Sequence, residues 1–327
     1  MHRPGDRLAV VDMGTNVFGL VVGTVHQDGR FQWDHRSETE VGLASHGFGT
    51  LNETIQRRAE TALHRHLQTA IQHQAVAFYG FGTAALRQWD GSTDWLQGVG
   101  QRLEQSMDAG QRIPCRLQVV SGEQEAEWIR YGLLQSGLLE DGPVLINDIG
   151  GGSVEIVLCH GQQTYFACSL PLGMRKLVQQ FPILHPDEYP QSVAPVPHFR
   201  ATYDQCYQYL SNEFRMHLGE VLGRIQPLRI LGTAGPYRTL DQWARACTQT
   251  QNDADFLIPR SLCASFGEAA TLTLQGPCPP LHPLATDAVV HAAALMLALS
   301  DVTGGLPVQC TDLSMREGAL MALFEGH

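Results

Sequence analysis

The sequence predicts an α/β protein built from two topologically similar halves, and three observations lead there. An apolar strand that ends in Asp and runs through a glycine turn into a second strand occurs twice, at residues 8–25 and again at residues 144–159. Around these copies, short apolar runs alternate with stretches of helical periodicity. The chain has 327 residues, more than the roughly 250 to 300 at which a single core stops growing, so two domains are expected.

Taken in order, Leu8, Ala9, Val10 and Val11 read as a buried strand closed by Asp12, and Gly14, Thr15 and Asn16 form the turn into a β-rich run over 17–25. A third strand is expected at 30–37, and residues 52–72 carry helical periodicity with Asn52 as N-cap. An apolar strand at 75–80 leads into 82–87, where a helix starts. Residues 117–120 form another strand, which Ser121 and Gly122 break before a helix over 123–134. The opening pattern then recurs: 144–148 is a strand with Asp148 at its end, followed by Gly150, Gly151, Gly152 and Ser153 and a strand over 154–159. The two Asp residues stand 136 positions apart, about one domain's length. Each half is thus expected to present a hairpin loop with one Asp to a shared cleft. A further strand at 229–231 precedes Gly232, Thr233, Ala234 and Gly235, with helices over 199–222 and 287–299, and the five prolines of 181–197 mark a surface loop.

Composition removes several function classes. A net charge of −11 argues against a sequence-independent grip on nucleic acid. Of the 22 basic residues 21 are Arg, and the single Lys176 follows Arg175 rather than a glycine, so there is no Walker A loop. The eight Cys show no zinc spacing and read as small buried apolar residues in a reducing compartment. Residues 288–299 fall short of the roughly 20 needed to span a bilayer, and the first apolar run lacks a signal peptide's cleavage site. A soluble, cytoplasmic protein is expected, without nucleic-acid or membrane partners. His64, Arg65 and His66 read as a solvated helix face, Ser153 lacks the elbow of a serine hydrolase, and the dispersed aromatics offer no stacking platform.

A glycine turn lets several backbone N–H groups converge on one anion. The run Asp148 to Ser153 suits a phosphate, with Asp148 placed to hold hydrated Mg²⁺, and Asp12 to Asn16 offers the same parts. Glu155 lies two residues beyond Ser153, on the same strand face. Glu125 falls in the first turn of a helix, where a catalytic carboxylate and a solvated acid are both reasonable readings. Arg87 fits either a phosphate clamp or a surface ion pair.

The ordered motifs Asp12-Met-Gly-Thr-Asn, Gly82-Thr-Ala-Ala-Leu-Arg87, Ser121-Gly-Glu-Gln-Glu-Ala126, Asp148-Ile-Gly-Gly-Gly-Ser-Val-Glu155, Gly232-Thr-Ala-Gly235 and Arg316-Glu-Gly318 resemble the exopolyphosphatase/guanosine pentaphosphate phosphohydrolase (Ppx/GppA) family. That family lies within the actin, sugar-kinase and heat-shock-chaperone ATPase superfamily. The resemblance implies two actin-like (ribonuclease-H-like) domains around a central cleft, here residues 1–122 with about 306–327, and residues 123–305. It implies Glu125 as the carboxylate that activates water and Glu155 as the second essential acid. Asp148, Asp12 and Glu155 would hold Mg²⁺ or another divalent cation. Gly14, Thr15, Asn16, Arg87, Gly150, Gly151, Gly152, Ser153, Gly232 and Gly235 would bind phosphate. The implied reaction is release of terminal phosphate from inorganic polyphosphate, first of short chains, or from guanosine pentaphosphate (pppGpp).

Where many members have a hydroxyl residue after the Asn and a basic residue two further on, this chain has Val17 and Gly19, which argues against tight pppGpp binding. A non-hydrolysing nucleotide or polyphosphate sensor and a kinase of the same fold are the alternatives, and association of two copies into a homodimer is left open.

Overall fold

The computed structural model describes residues 2–26, 31–182, 197–250, 256–271 and 287–325; most of the proline-rich stretch expected as a surface loop, residues 183–196, lies outside them. The chain divides into two units.

In the first unit, β1 (Arg7–Met13), β2 (Val17–Val25) and β3 (Phe31–Glu40) form an antiparallel meander. Helix α1 (Glu53–Gln72) leads to β4 (Ala77–Gly82), the short α2 (Ala84–Arg87) and α3 (Ser92–Gln105) lead to β5 (Cys115–Val119), and α4 (Gly122–Gln135) follows. The sheet order is β3-β2-β1-β4-β5, with β4 parallel to β1 and β5 parallel to β4. As the central strand, β1 is covered on both faces: Leu8, Ala9, Val10 and Val11 are wholly buried, which is why it reads as an unbroken apolar run. Asn52 caps α1 by accepting from the Ile55 N–H at 2.9 Å.

The second unit repeats the plan. Strands β6 (Val144–Ile149), β7 (Val154–His160) and β8 (Gln163–Leu170) form a meander, α5 (Met174–Gln180) and α6 (Pro197–Leu222) lead to β9 (Arg229–Thr233), and α7 (Gly235–Thr248), α8 (Arg260–Thr271) and α9 (Asp287–Val302) lead to β10 (Val308–Cys310). Its order, β10-β9-β6-β7-β8, is that of the first sheet with β6 in the place of β1, and β9 and β10 again run parallel. The same α/β plan is therefore present in both units. The last helix, α10 (Met315–Glu325), belongs to the first.

Two expectations are corrected. The domain boundary falls after Gly137 rather than after 122, Gly150–Gly152 group with the first unit, and the C-terminal segment of that unit starts at Leu313 rather than near 306. The reason for the first shift is that α4 packs on α10: a Cβ built on Gly132 would come within 3.2 Å of the Gly318 backbone, so the helices touch through bare glycines. The second correction concerns His66, which lies on the buried face of α1 with Ala59, Leu63 and Ala70 instead of in solvent. Burial pushes its pKa down to about 4. Among the described residues, no helix is long and apolar enough to cross a membrane.

Candidate active site

In the first unit, the β1–β2 turn is tight: a Cβ on Gly14 would stand 2.8 Å from the Val17 carbonyl oxygen. Thr15 is buried, whereas Asn16 is exposed and its carbonyl accepts from the N–H groups of Val41 and Gly42, both at 2.8 Å. Gly151 and Gly152, which group with this unit, also sit where side chains do not fit, since a Cβ would come within 2.9 Å of the Thr15 Cβ and 2.7 Å of the Ala84 Cβ respectively. Glycine is required at these positions because protein atoms already fill the space of a side chain.

Beside these turns the structure brings Arg87 and Glu125 together. Ser121 caps α4 by accepting from the Gln124 N–H at 3.1 Å, so the acidic residues after it lie in the first helical turn. They separate by face. Glu123 points to solvent, and hydrogen bonding to its own backbone N–H, then to Ser121, holds its carboxyl below the usual range. Glu127 pairs with Arg130 at 2.5 Å. Glu125 alone of the three turns inward: it is 9% exposed, and its Oε2 accepts from Arg87 Nη1 at 2.6 Å. The same Arg87 nitrogen donates to the Val120 carbonyl at 3.1 Å, which ties the guanidinium to the end of β5. Arg87 is thus in an ion pair with Glu125 that is only partly open to solvent, the two side chains being 20% and 12% exposed.

In the second unit, Asp148 near the end of β6 lies directly opposite Glu155 on β7, and Glu155 directly opposite Ser169 on β8. Directly opposed side chains share a face with Cβ atoms about 4.5–5.5 Å apart. Two carboxylates thus stand side by side, with Glu155 1% exposed and accepting from the Ser169 hydroxyl at 2.7 Å. Such a pair is unfavourable alone and suits a hard divalent cation, which takes oxygen ligands. Among the described residues no three His, Cys, Asp or Glu side chains are disposed to enclose a metal. Next to Asp148, the buried Asn147 Oδ1 accepts from the Tyr237 hydroxyl at 2.5 Å.

Gly232 has a packing role: a Cβ there would stand 2.5 Å from the Tyr237 ring. Gly235 opens α7 after Ala234, whose φ of 82° and ψ of 170° lie in a region that is essentially glycine-only. Ser153 is buried at the start of β7. Burial pushes the thiols of Cys115, Cys168, Cys206 and Cys263 up to about 12, so these four are poor nucleophiles.

The profile of the Ppx/GppA phosphatase family matches residues 26–321. The chain belongs to that family. Exopolyphosphatase 1 of Mycobacterium tuberculosis is 26% identical over 177 residues, 54% of this chain and 48% of that protein. The chain thus aligns with about half the length of the curated relatives it matches. An exopolyphosphatase of Cytophaga hutchinsonii shares the fold with a TM-score of 0.75 at 22% identity, covering 98% of both chains. A Ppx/GppA family member of Aquifex aeolicus does so with a TM-score of 0.72 at 18% identity, covering 98% of this chain and 99% of that one.

Ser169 and the Asn147–Tyr237 pair were not found by sequence reasoning. Ser169 becomes visible only once the β7–β8 register is known. Tyr237 lies 90 positions from Asn147, and nothing local marks it.

Proposed function

We propose that this Ppx/GppA chain is a phosphoanhydride hydrolase that releases terminal phosphate from short-chain inorganic polyphosphate, with pppGpp as a second substrate. The observation that carries this reading is the Arg87–Glu125 pair, which sets an inward-facing carboxylate against a guanidinium at a helix N-terminus. A guanidinium fork recognises phosphate oxygens, and a carboxylate within reach takes a proton from water. The names of the relatives support the substrate class.

In the mechanism, Arg87 binds oxygens of the terminal phosphoryl group. Glu125, released from Arg87 as phosphate takes over the guanidinium, orients a water and accepts its proton as the oxygen–phosphorus bond forms and the bridging phosphoanhydride bond breaks. The backbone N–H groups of Gly14 to Asn16 and of Gly150 to Ser153 hold phosphate oxygens. Asp148 and Glu155 would hold Mg²⁺ or another divalent cation, which when bound neutralises charge on those oxygens. Ser169 donates to one Glu155 oxygen and so orients the carboxylate.

A phosphate-release assay on defined short polyphosphates and on pppGpp, with wild type and Glu125→Gln, tests this. The expected loss is about 10²- to 10⁴-fold in rate, with the melting temperature preserved. Release unaffected by Glu125→Gln would defeat the mechanism, and calorimetric binding of nucleotide without any turnover would favour a sensor.

A further inference from the structure

Gly19 on β2 lies directly opposite Asp12 on β1 and directly opposite Glu38 on β3. The three positions therefore form one row across the first sheet, on one face, with Cβ spacings of about 5 Å. Position 19 has no side chain, and α10 fills its place: a Cβ built on Gly19 would stand 1.9 Å from Arg316 Nη1. The Arg316 guanidinium thus occupies the space over Gly19, in the row between positions 12 and 38. Its Nη2 is 3.2 Å from Glu38 Oε1, and its Nε is 3.1 Å from Glu317 Oε1. Glu317, wholly buried, is held in turn by the Ser314 N–H and hydroxyl at 2.9 and 2.6 Å and by Arg36 at 3.5 Å. Burial works against the Arg316 charge, yet Glu317, Asp12 and Glu38 hold the guanidinium above its ordinary range.

The second sheet has the same row with different chemistry. Asp148 takes the place of Asp12, and the position equivalent to Gly19 is Glu155. One Asp therefore has a carboxylate for its cross-strand neighbour, and the other has a borrowed guanidinium. Adjacent carboxylates attract a divalent cation, whereas a carboxylate already facing a guanidinium does not.

We propose that Arg316, inserted over Gly19, is a positioning residue that neutralises Asp12, so that the divalent cation goes to the Asp148–Glu155 pair and the first glycine turn is left to phosphate. The positive charge that a basic side chain at residue 19 would bring is thus supplied by α10. This deepens the hydrolase reading and rests on it for the cation.

Titrating Mn²⁺ calorimetrically into the full chain without substrate tests the assignment independently of turnover. Asp148→Asn is expected to weaken Mn²⁺ by about tenfold or more, and Asp12→Asn to leave it within about twofold. Arg316→Met is expected to create a second Mn²⁺ site that Arg316→Met combined with Asp12→Asn abolishes. Should Arg316→Met not fold, Gly19→Ala, whose methyl overlaps Nη1, displaces the guanidinium without deleting it and is expected to show the same second site. An Asp12→Asn loss equal to that of Asp148→Asn, or a displaced guanidinium with no second site, would overturn the proposal. If wild type binds no Mn²⁺, the metal part of the hydrolase reading fails on its own. The Asp12–Arg316 pairing is then decided by thermal melts of the single and double variants, where non-additive losses support it and additive losses overturn it.

Discussion

The contact between α4 and α10 makes Gly318→Ala an informative substitution. The added methyl would stand 1.7 Å from the Trp128 carbonyl oxygen, 2.6 Å from its carbon and 3.1 Å from the Gly132 nitrogen. All three are helix backbone, so no rotamer change relieves the clash. Ordinary carbon contacts begin near 3.5 Å, so the helices must part by more than about 1 Å. Overpacking of this severity costs about 3 kcal/mol, and the better helix propensity of Ala offsets about 1 kcal/mol, leaving a net loss of about 2 kcal/mol. In a unit of about 150 residues, that lowers the melting temperature by roughly 4–8 °C. Because α4 carries Glu125 in its first turn, the same shift disturbs the contact with Arg87, and a displacement of about 1 Å can cost on the order of 10²-fold in rate. Scanning calorimetry and phosphate release, measured well below the melting temperature, check the two effects. A variant that melts and turns over like wild type would refute the reasoning.

Three further outcomes follow from local geometry. Gly219→Ala on the exposed face of α6, where a Cβ meets nothing within 4 Å, is expected to stabilise by about 0.4–1 kcal/mol; an unchanged or lower melting temperature would contradict this. Ala234→Gly relieves a backbone at φ 82° whose strain costs about 1–3 kcal/mol, so the melting temperature should rise despite the extra freedom of glycine in the unfolded chain. Since the His66 pKa is about 4 when folded against 6.5 in the ordinary state, the unfolded chain binds the extra proton. Stability is therefore full above pH 6.5 and falls as pH drops towards 4, by roughly 3 kcal/mol. Urea melts of His66→Gln across that range should show a flatter pH dependence than wild type.

The hairpins at Asp12 and Asp148 were legible because strand alternation and glycine turns are local signals, and Asn52 marked its own helix for the same reason. His66 was misjudged although the signal was present: Ala59, Leu63, His66 and Ala70 recur at the 3.6-residue period of a buried face, and the neighbouring His64 and Arg65 obscured it. The three-residue β10 and the partly exposed β8 were missed because edge strands carry weak alternation. The inward turn of Glu125 goes with its contact to Arg87, 38 positions away, and the domain boundary with α4 meeting α10, segments nearly two hundred positions apart, and no local window contains either contact. Gly19 was visible only as a lost cation, because the arginine that occupies its space comes from the far end of the chain.

The two helices in contact are topological counterparts. Helix α4 follows β5, the last strand of the first sheet, and α10 follows β10, the last strand of the second, yet both belong to the first unit. Each carries an acidic residue in its first turn that is paired with arginine: Glu125 with Arg87, and Glu317 with Arg36 and Arg316. They differ in what the arginine does next. Arg87 is anchored to the Val120 carbonyl as well as to Glu125, whereas Arg316 is enclosed among Glu38, Glu317 and Asp12 and has its charge balanced internally. In the proposed mechanism, one copy of the duplicated helix carries the carboxylate that activates water and the other carries the arginine that lies over Gly19. The Gly132–Gly318 contact couples the two, so parting the helices should disturb water activation and the Asp12 row together.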